Sequence, residues 1–288
     1  MIVTTTTEMQ KHLLSMNLKL EQAEDHRFDS FLKRAQEWAV LHILGDDIEE
    51  ILEIDLEVGQ TDPHAKLREL TARVISVKAY LDSIAESDLQ RSEAGFVVQN
   101  NDKMSPASQQ RVDRLVQSLN ERLNSDCDAL VNYLMKHSGA EDPYDDWRGT
   151  EQFTYLTDAL IPTMAIMRQC AGQNTVQRWQ GFYDLQPKLS VALRETVAEY
   201  VSFGQVEALV ELFRDDELLP AHTKALRWMR MSALAGASGN TAEAVRYAIE
   251  ARQWMLKHES DFPDFVDSEC YELPEPFDFG DGTVANLL

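Results

Sequence analysis

SPASQQRVDRLVQSLNERLNSDCDALVNYLMKH, residues 105–137, decides the fold class. Ser105-Pro106 has the form of a helix N-cap followed by proline at the first helical position. Behind it Val112, Leu115, Leu119, Leu123, Cys127, Leu130 and Leu134 recur three and four residues apart, which places one apolar seam along a helix running to about His137. A seam that long needs partners, and the chain on either side supplies them with the same period. From Phe28 to Leu44, Phe31, Leu32, Ala35, Trp38, Ala39 and His42 share a face, and Gly45 is placed to end that helix. An acidic helix over 46–55 buries Ile48, Ile51 and Leu52. Asp62-Pro63 then opens a helix carrying Leu67, Leu70, Val74, Val77 and Leu81. Thr5-Thr6-Thr7-Glu8 has the capping-box form and starts a short helix through about Leu14.

The helical period lapses between Ser87 and Met104, where Gly95-Phe96-Val97-Val98 reads as a strand paired with Leu89 to Ser92. Residues 139–150, GAEDPYDDWRGT, read as a loop and as the domain boundary. Beyond it helical patterns resume near Glu151, break near Pro162, and return over 187–203, 205–213, 222–237 and 241–258. From Ser260 onward the chain has eight acidic residues, no Lys or Arg, and Pro263, Pro274 and Pro276, which reads as an extended arm. The expected organisation is mainly α: a helical-bundle unit over 1–140 with a short β-hairpin at about 87–104, a related helical-bundle unit over 141–259, and an extended C-terminal arm over 260–288.

The two units echo each other. Tyr133-Leu134-Met135-Lys136-His137 matches Trp254-Met255-Leu256-Lys257-His258, and His64-Ala65-Lys66 opens a helix as His222-Thr223-Lys224 does. That pattern reads as a tandem duplication of one helical unit.

Charge narrows the function classes. With 49 Asp plus Glu against 27 Lys plus Arg the net charge is −22, and nucleic-acid affinity rests on cations neutralising phosphates, so tight nucleic-acid binding is not expected. No apolar run approaches the length of a membrane span, and no secretory signal is legible at the N-terminus. Cys127, Cys170 and Cys270 are widely spaced and odd in number, which fits free thiols. The seven His show no metal-ligand spacing, and neither a nucleophile elbow nor a phosphate-cradling glycine loop is present, so neither a cofactor nor a metal is expected and the chain reads as a non-enzyme. Glu49, Glu50 and Glu53 form the densest carboxylate group and keep open an alternative, the magnesium site of an all-α nucleotide pyrophosphohydrolase, which would need a second carboxylate pair from a facing helix. A cytosolic helical adaptor or scaffold is a further alternative. Aromatic residues divide by context: Trp179, Phe182 and Tyr183, and Trp228, Tyr247 and Trp254, sit at helical spacing and read as core, whereas Phe262, Phe265, Tyr271, Phe277 and Phe279 lie in the arm and read as docking residues.

The order of elements resembles a family of phage neck proteins. The resemblance is carried by the A-x-x-W helix ending in Ile43-Leu44-Gly45, the acidic helix, the Lys78-Ala79-Tyr80 helix end, Ser92-Glu93-Ala94-Gly95-Phe96-Val97, and Asp102-Lys103-Met104-Ser105-Pro106-Ala107 opening the long helix. It covers most of residues 28–255 and leaves out the acidic arm. In phages and prophages of the Bacteroidota such proteins lie near capsid and tail genes and are described as uncharacterised or as head-tail connectors. The resemblance implies a virion protein of the neck: a ring homo-oligomer of about twelve copies between portal protein and tail, its acidic lumen passing DNA without trapping it. Candidate interface residues are Phe96 and Val98 in the hairpin and Phe265, Tyr271, Phe277 and Phe279 in the arm. On this reading deletion of 260–288 leaves a folded monomer that assembles poorly.

Overall fold

In a computed structural model, residues 2–13, 28–54, 61–87, 90–92, 95–97, 109–139, 142–171 and 176–272 are described. The chain is mainly α-helical and divides into two compact units, one of Met1–Gln152 with Gln177–Trp179, the other of Phe153–Val176 with Gln180–Leu288.

The first unit begins with α1 (Thr6–Lys11), where the capping expectation holds: Thr5 Oγ1 accepts from Glu8 N at 3.2 Å, and the Glu8 carboxylate reaches back to Thr4 N at 2.9 Å. Helix α2 (Asp29–Ala39) comes next, and its last turn, Val40–Leu44, widens to π-helical geometry. Gly45 closes that turn by donating its N–H to Val40 O at 2.9 Å. Its φ of 77° is positive, as expected of a helix-ending glycine, but its ψ of 167° lies outside the left-handed helical well. The backbone therefore reverses directly into α3 (Asp46–Glu53), where Ile48 and Leu52 are buried and Ile51 is half-buried.

Helix α4 (Ala65–Ser87) packs against α1, α2 and α5 (Gln109–Lys136). The apolar seams read from sequence form this core: Leu67, Leu70, Val74 and Val77 of α4 and Leu119, Leu123, Cys127, Leu130 and Leu134 of α5 are buried. The β-hairpin expected over 87–104 is not borne out as an element of that size. Among the described residues only β1 (Gln90–Ser92) and β2 (Gly95–Val97) pair, antiparallel with Arg91 opposite Phe96, too little to form a layer; Leu89 and Val98 of the expected strands lie outside those residues.

The stretch 139–150 is more than a linker. Tyr144 and Trp147 are buried, Trp147 on a 3₁₀ turn (Asp145–Gly149) packed against α3, and its indole N–H donates to Ile43 O at 2.7 Å. An aromatic ring inside an acidic, turn-forming segment gives that segment a reason to return to the core.

The second unit holds α6 (Glu151–Thr157), most of which lies in it, then α7 (Met164–Ala171) and α8 (Trp179–Ala192). Pro187, expected to open a helix, lies inside α8 instead. Proline removes the bond to the carbonyl four residues back, and that carbonyl, Tyr183 O, accepts from the Tyr155 hydroxyl at 3.0 Å. A π-helical turn (Leu193–Val197) leads to α9 (Ala198–Val201), then to Ser202 with φ 72° and ψ 149°, whose Oγ caps Gln205 N of α10 (Phe203–Arg214) at 3.1 Å. Ser202, rather than Gly204, is the reversal point.

Helices α11 (Pro220–Ala237) and α12 (Thr241–Leu256) pack along their lengths, joined by Gly239 at φ 79° and capped by Asn240. Their core is made of small and flexible residues: Ala225, Leu226, Met229, Ala233, Ala244, Ala248, Ala251 and Met255. Trp228, Tyr247 and Trp254, expected in that core, are half-buried. Helices packed closely on alanine leave no room for indoles between them, and Trp228 stacks on Tyr247 with ring centroids 6.0 Å apart.

The chain then folds back as a 3₁₀ turn (Glu259–Asp261) and α13 (Pro263–Val266), packed on α10. The extended arm expected from residue 260 is therefore corrected over its first part. Pro263 occupies the first position of a helical turn, where its missing N–H costs nothing, and Phe262 and Phe265 are fully buried. Phe265 N donates to Gln205 Oε1 at 3.0 Å. No helix among the described residues is long and apolar enough to cross a membrane.

The two units run through a similar series. A short helix (α1; α7) packs on a long one, a helix ends in a π turn (α2; α8), a positive-φ residue follows (Gly45 directly; Ser202 after the one-turn α9), then a further helix (α3 of 8 residues; α10 of 12), two long helices (α4, α5; α11, α12) and a returning aromatic turn laid against that further helix (Trp147 on α3; Phe265 on α10).

Candidate functional surfaces

The residues of the sequence echo occupy matching places within each unit. In the first, Tyr133 packs on His137 one helical turn later at 4.4 Å, and Tyr144 packs on Tyr133 at 6.0 Å and on His64, at the start of α4, at 5.6 Å between ring centroids. His64 Nδ1 lies 3.2 Å from the Tyr144 hydroxyl. Burial first, and then the hydrogen bond to Tyr133, pushes the Tyr144 phenol well above its ordinary range, so it stays neutral. In the second unit Trp254 stacks on His258 at 3.8 Å, and Phe262 meets His222 edge-on at 5.2 Å. His222 Nδ1 accepts from Leu219 N at 3.1 Å and its Nε2 lies 2.7 Å from Asp261 O, so it ties the start of α11 to the turn after α12. Both groups are structural: each His is spent on holding a returning chain.

His137 and His258 stand just beyond the C-terminal ends of α5 and α12, each one turn after its aromatic partner. His258 Nδ1 lies 2.9 Å from Trp254 O, on the last turn of α12.

The carboxylates of the pyrophosphohydrolase alternative are placed by Gln36. Its Nε2 donates to Glu49 Oε1 at 2.6 Å and to Glu53 Oε1 at 2.9 Å, while its Oε1 accepts from Ile2 N at 2.8 Å; Glu50 is exposed. The two carboxylates converge on a neutral amide within the first unit, and among the described residues no group of three His, Cys, Asp or Glu stands at metal-ligating distance.

Burial raises the thiols of Cys127 and Cys170, the direction opposite to that of a thiolate nucleophile; at Cys170 Arg230 and Arg227 oppose the shift. Cys170 lines a cavity of about 410 Å³ in the second unit with Met167, Leu185, Met231, Leu234 and Tyr247. Arg194 anchors a polar cluster on the same unit: it donates two hydrogen bonds to Asp158 (2.8 and 2.9 Å) and one from Nη2 to Glu207 Oε2 at 3.3 Å, with its Nε 2.9 Å from Glu207 Oε1 as an ion pair.

Of the interface candidates, Phe265 is buried in its own unit and presents no ring to a neighbour. Tyr271 is half-buried, edge-on to Phe265 at 5.8 Å, and its hydroxyl donates to Glu259 Oε1 at 2.8 Å. The side chain of Phe96 and all of Val98, Phe277 and Phe279 lie outside the described residues. Sequence reasoning missed other surface apolar residues: Leu41 and Ile54 on the first unit, and Val191, Phe203 and Leu219 on the second, are 48–63% exposed. Leu41 lies within the π turn and Phe203 directly after the Ser202 reversal, where a single apolar residue has no periodicity to mark it.

A groove of about 580 Å³ crosses one end of the second unit, between the start of α11 and the end of α12. It is lined by Leu219, Pro220, Ala221 and Lys224 at the start of α11 and by Trp254, His258 and Asp261 at and beyond the end of α12. Trp254 is fixed by its indole N–H donating to Ala221 O at 2.9 Å, and the Lys224 ammonium lies 3.8 Å from its ring centroid.

The first unit has a match among known families: residues 30–157 match a family of unknown function, DUF6712, and that domain spans the chain from α2 to α6. No curated protein and no solved structure matches the chain.

Proposed function

We propose that this protein is a structural subunit of a phage neck, a head-tail connector that joins copies of itself into a ring between portal protein and tail, and that its two units are duplicated copies of one helical module. The observation that carries the reading is the repeated series of elements, from the π turn and its positive-φ reversal to the returning aromatic turn. A chain with two like packing faces is suited to closed assemblies in which each copy meets two neighbours. The net charge of −22 adds support, since an acidic wall repels DNA and lets it slide. Leu41, Ile54, Val191 and Phe203 supply exposed apolar surface for such contacts. The domain of unknown function over 30–157 is compatible with this reading and does not by itself carry it.

Native mass spectrometry of the full chain, alone and mixed with a portal ring, tests the proposal. A closed oligomer, or a stoichiometric complex with the portal, is the expected result. A chain that remains single across concentrations and ignores the portal overturns it.

A further inference from the structure

The returning turn of the second unit is fastened by a histidine that can hold it in one protonation state alone. Leu219 N donates to His222 Nδ1 at 3.1 Å, so Nδ1 carries a lone pair and the ring proton sits on Nε2. Nε2 in turn lies 2.7 Å from Asp261 O, a carbonyl that only accepts. Both ring nitrogens are thus committed to backbone groups, and the residue is 4% exposed, with the Phe262 ring edge-on to it at 5.2 Å. A second proton, at Nδ1, sets N–H against N–H and creates a buried cation to which no carboxylate among the described residues is bonded.

The matching histidine of the first unit is under no such restriction. His64 Nδ1 lies 3.2 Å from the Tyr144 hydroxyl, a group that can accept as well as donate. His64 is also half-buried rather than buried, and the Asp62 carboxylate accepts from its backbone N–H at 2.8 Å. A charged His64 keeps a partner for its proton and has an anion beside it. Acid therefore acts differently on the two closures.

We infer that His222 is a proton-operated catch, which holds the 259–266 turn on the second unit while its ring is neutral and loosens that turn on mild acidification. Histidine changes charge between about pH 5 and 8, a range in which ordinary carboxylates stay ionised. The charged groups of the adjoining elements are Glu217 before α11, Lys224 on it, Arg252, Lys257 and His258 towards the end of α12 and just beyond, Glu259 and Asp261 in the turn, and Asp264 on α13. Glu259 is taken by the Tyr271 hydroxyl, Arg252 by the carbonyls of Cys270 and Tyr271, and Asp261 meets His222 through its backbone. The turn carries Phe262 and Phe265, both fully buried, so its loosening uncovers core of the second unit and leaves the first closed. The inference goes beyond the assembly reading and stands without it.

Hydrogen-exchange mass spectrometry of the full chain at about pH 7.5 and 5.5, with labelling times scaled to the intrinsic exchange rate, tests the catch. The reporting peptides hold the amides of Phe262, bonded to Glu259 O at 3.1 Å, and Phe265, bonded to Gln205 Oε1 at 3.0 Å. Their protection should fall about tenfold or more at the lower pH, the scale of a buried donor left without its acceptor. The first unit's turn, read at Trp147 N and Thr150 N, should not change. His222→Gln offers an amide oxygen to Leu219 N and an amide N–H to Asp261 O without a charge, so the fall should vanish although His258 is still in place. Equal protection at both pH values, an equal fall in both units, or a fall that survives His222→Gln overturns the inference. Nitrogen-15 NMR of the wild-type ring is a second reading that does not depend on the variant's folding. The Nε2–H tautomer is expected at the higher pH, and an Nδ1–H tautomer or an imidazolium there overturns the inference. Ring formation is read from oligomer mass and the catch from exchange within one chain, so either can fail alone.

Discussion

Phe265→Ala separates a core role for this residue from a docking role. Phe265 is 0% exposed, its own backbone N–H is bonded to Gln205, and the turn that carries it packs on α10. Truncating a buried Phe to Ala costs about 3–5 kcal/mol, transfer and cavity terms together. With a urea dependence of about 2 kcal/mol/M, that is a midpoint shift of roughly 1.5–2.5 M. A docking residue free of the core would stay within about 0.5 kcal/mol.

The assay is urea unfolding of the full chain monitored by far-ultraviolet circular dichroism. Because the two units need not unfold together, a transition that splits into two steps, only one of which moves, is an expected form of the result. A shift of less than about 1 kcal/mol would refute the packing argument. The same reasoning moves the useful truncation point. Ending the chain before residue 260 removes Phe262 and Phe265 from the core and should unfold the second unit, whereas ending it after Glu272 should not.

Two further perturbations test the first unit. Gly45→Ala forces a Cβ to 2.9 Å from Thr150 Cγ2 and 3.2 Å from Gln152 Oε1 at a φ of 77°; backbone strain alone costs about 1–3 kcal/mol, so the melting temperature should drop by at least several degrees, and adding Thr150→Ser, which deletes the Cγ2, should restore the steric part only. Asp126 has its carboxyl pKa raised by burial, against the pull of Arg122 and Arg73, and its Oδ2 lies 3.6 Å from Arg122 Nε, beyond hydrogen-bond distance. A carboxyl that binds its proton more tightly when folded favours the native state at low pH and loses that contribution as pH rises through the raised pKa. Asp126→Asn should therefore raise the melting temperature at pH 7 and leave it unchanged at pH 3, where Asp126 is protonated folded and unfolded alike; a loss of stability at pH 7 would show that the ion pair with Arg122 outweighs the burial.

Helical seams were legible because they are local: Leu119 to Leu134 and Leu67 to Val77 mark their faces within a few turns, and those faces are buried. Long-range closure was not legible. Trp147 belongs to the core because its indole reaches Ile43, 104 residues away, and nothing in the acidic composition around it records that bond. Proline misled twice for the same reason. Pro187 sits inside α8 because Tyr155 satisfies the freed carbonyl of Tyr183, and Pro263 starts a helical turn because Phe262 and Phe265 are buried on either side of it. At Pro187 the local penalty is real and a distant partner offsets it; at Pro263 the first helical position carries no such penalty, and the buried rings decide that the turn forms.

These misreadings share a cause that also bears on function. The turns with Trp147 and Phe265 each return a buried ring to a helix of their own unit, yet they differ in residue type, in length and in the helical form that carries the ring. What is kept between the units is the role: a ring delivered back to the short helix beyond the reversal. A role of that kind leaves little sequence signal, and the echo is legible in the Tyr133–His137 and Trp254–His258 helix ends and in the His64 and His222 helix starts, not in the returning turns. A closing contact that tolerates such exchange is held by the burial of a ring and not by its identity, so it is set by the packing of each unit and not by any local residue pattern.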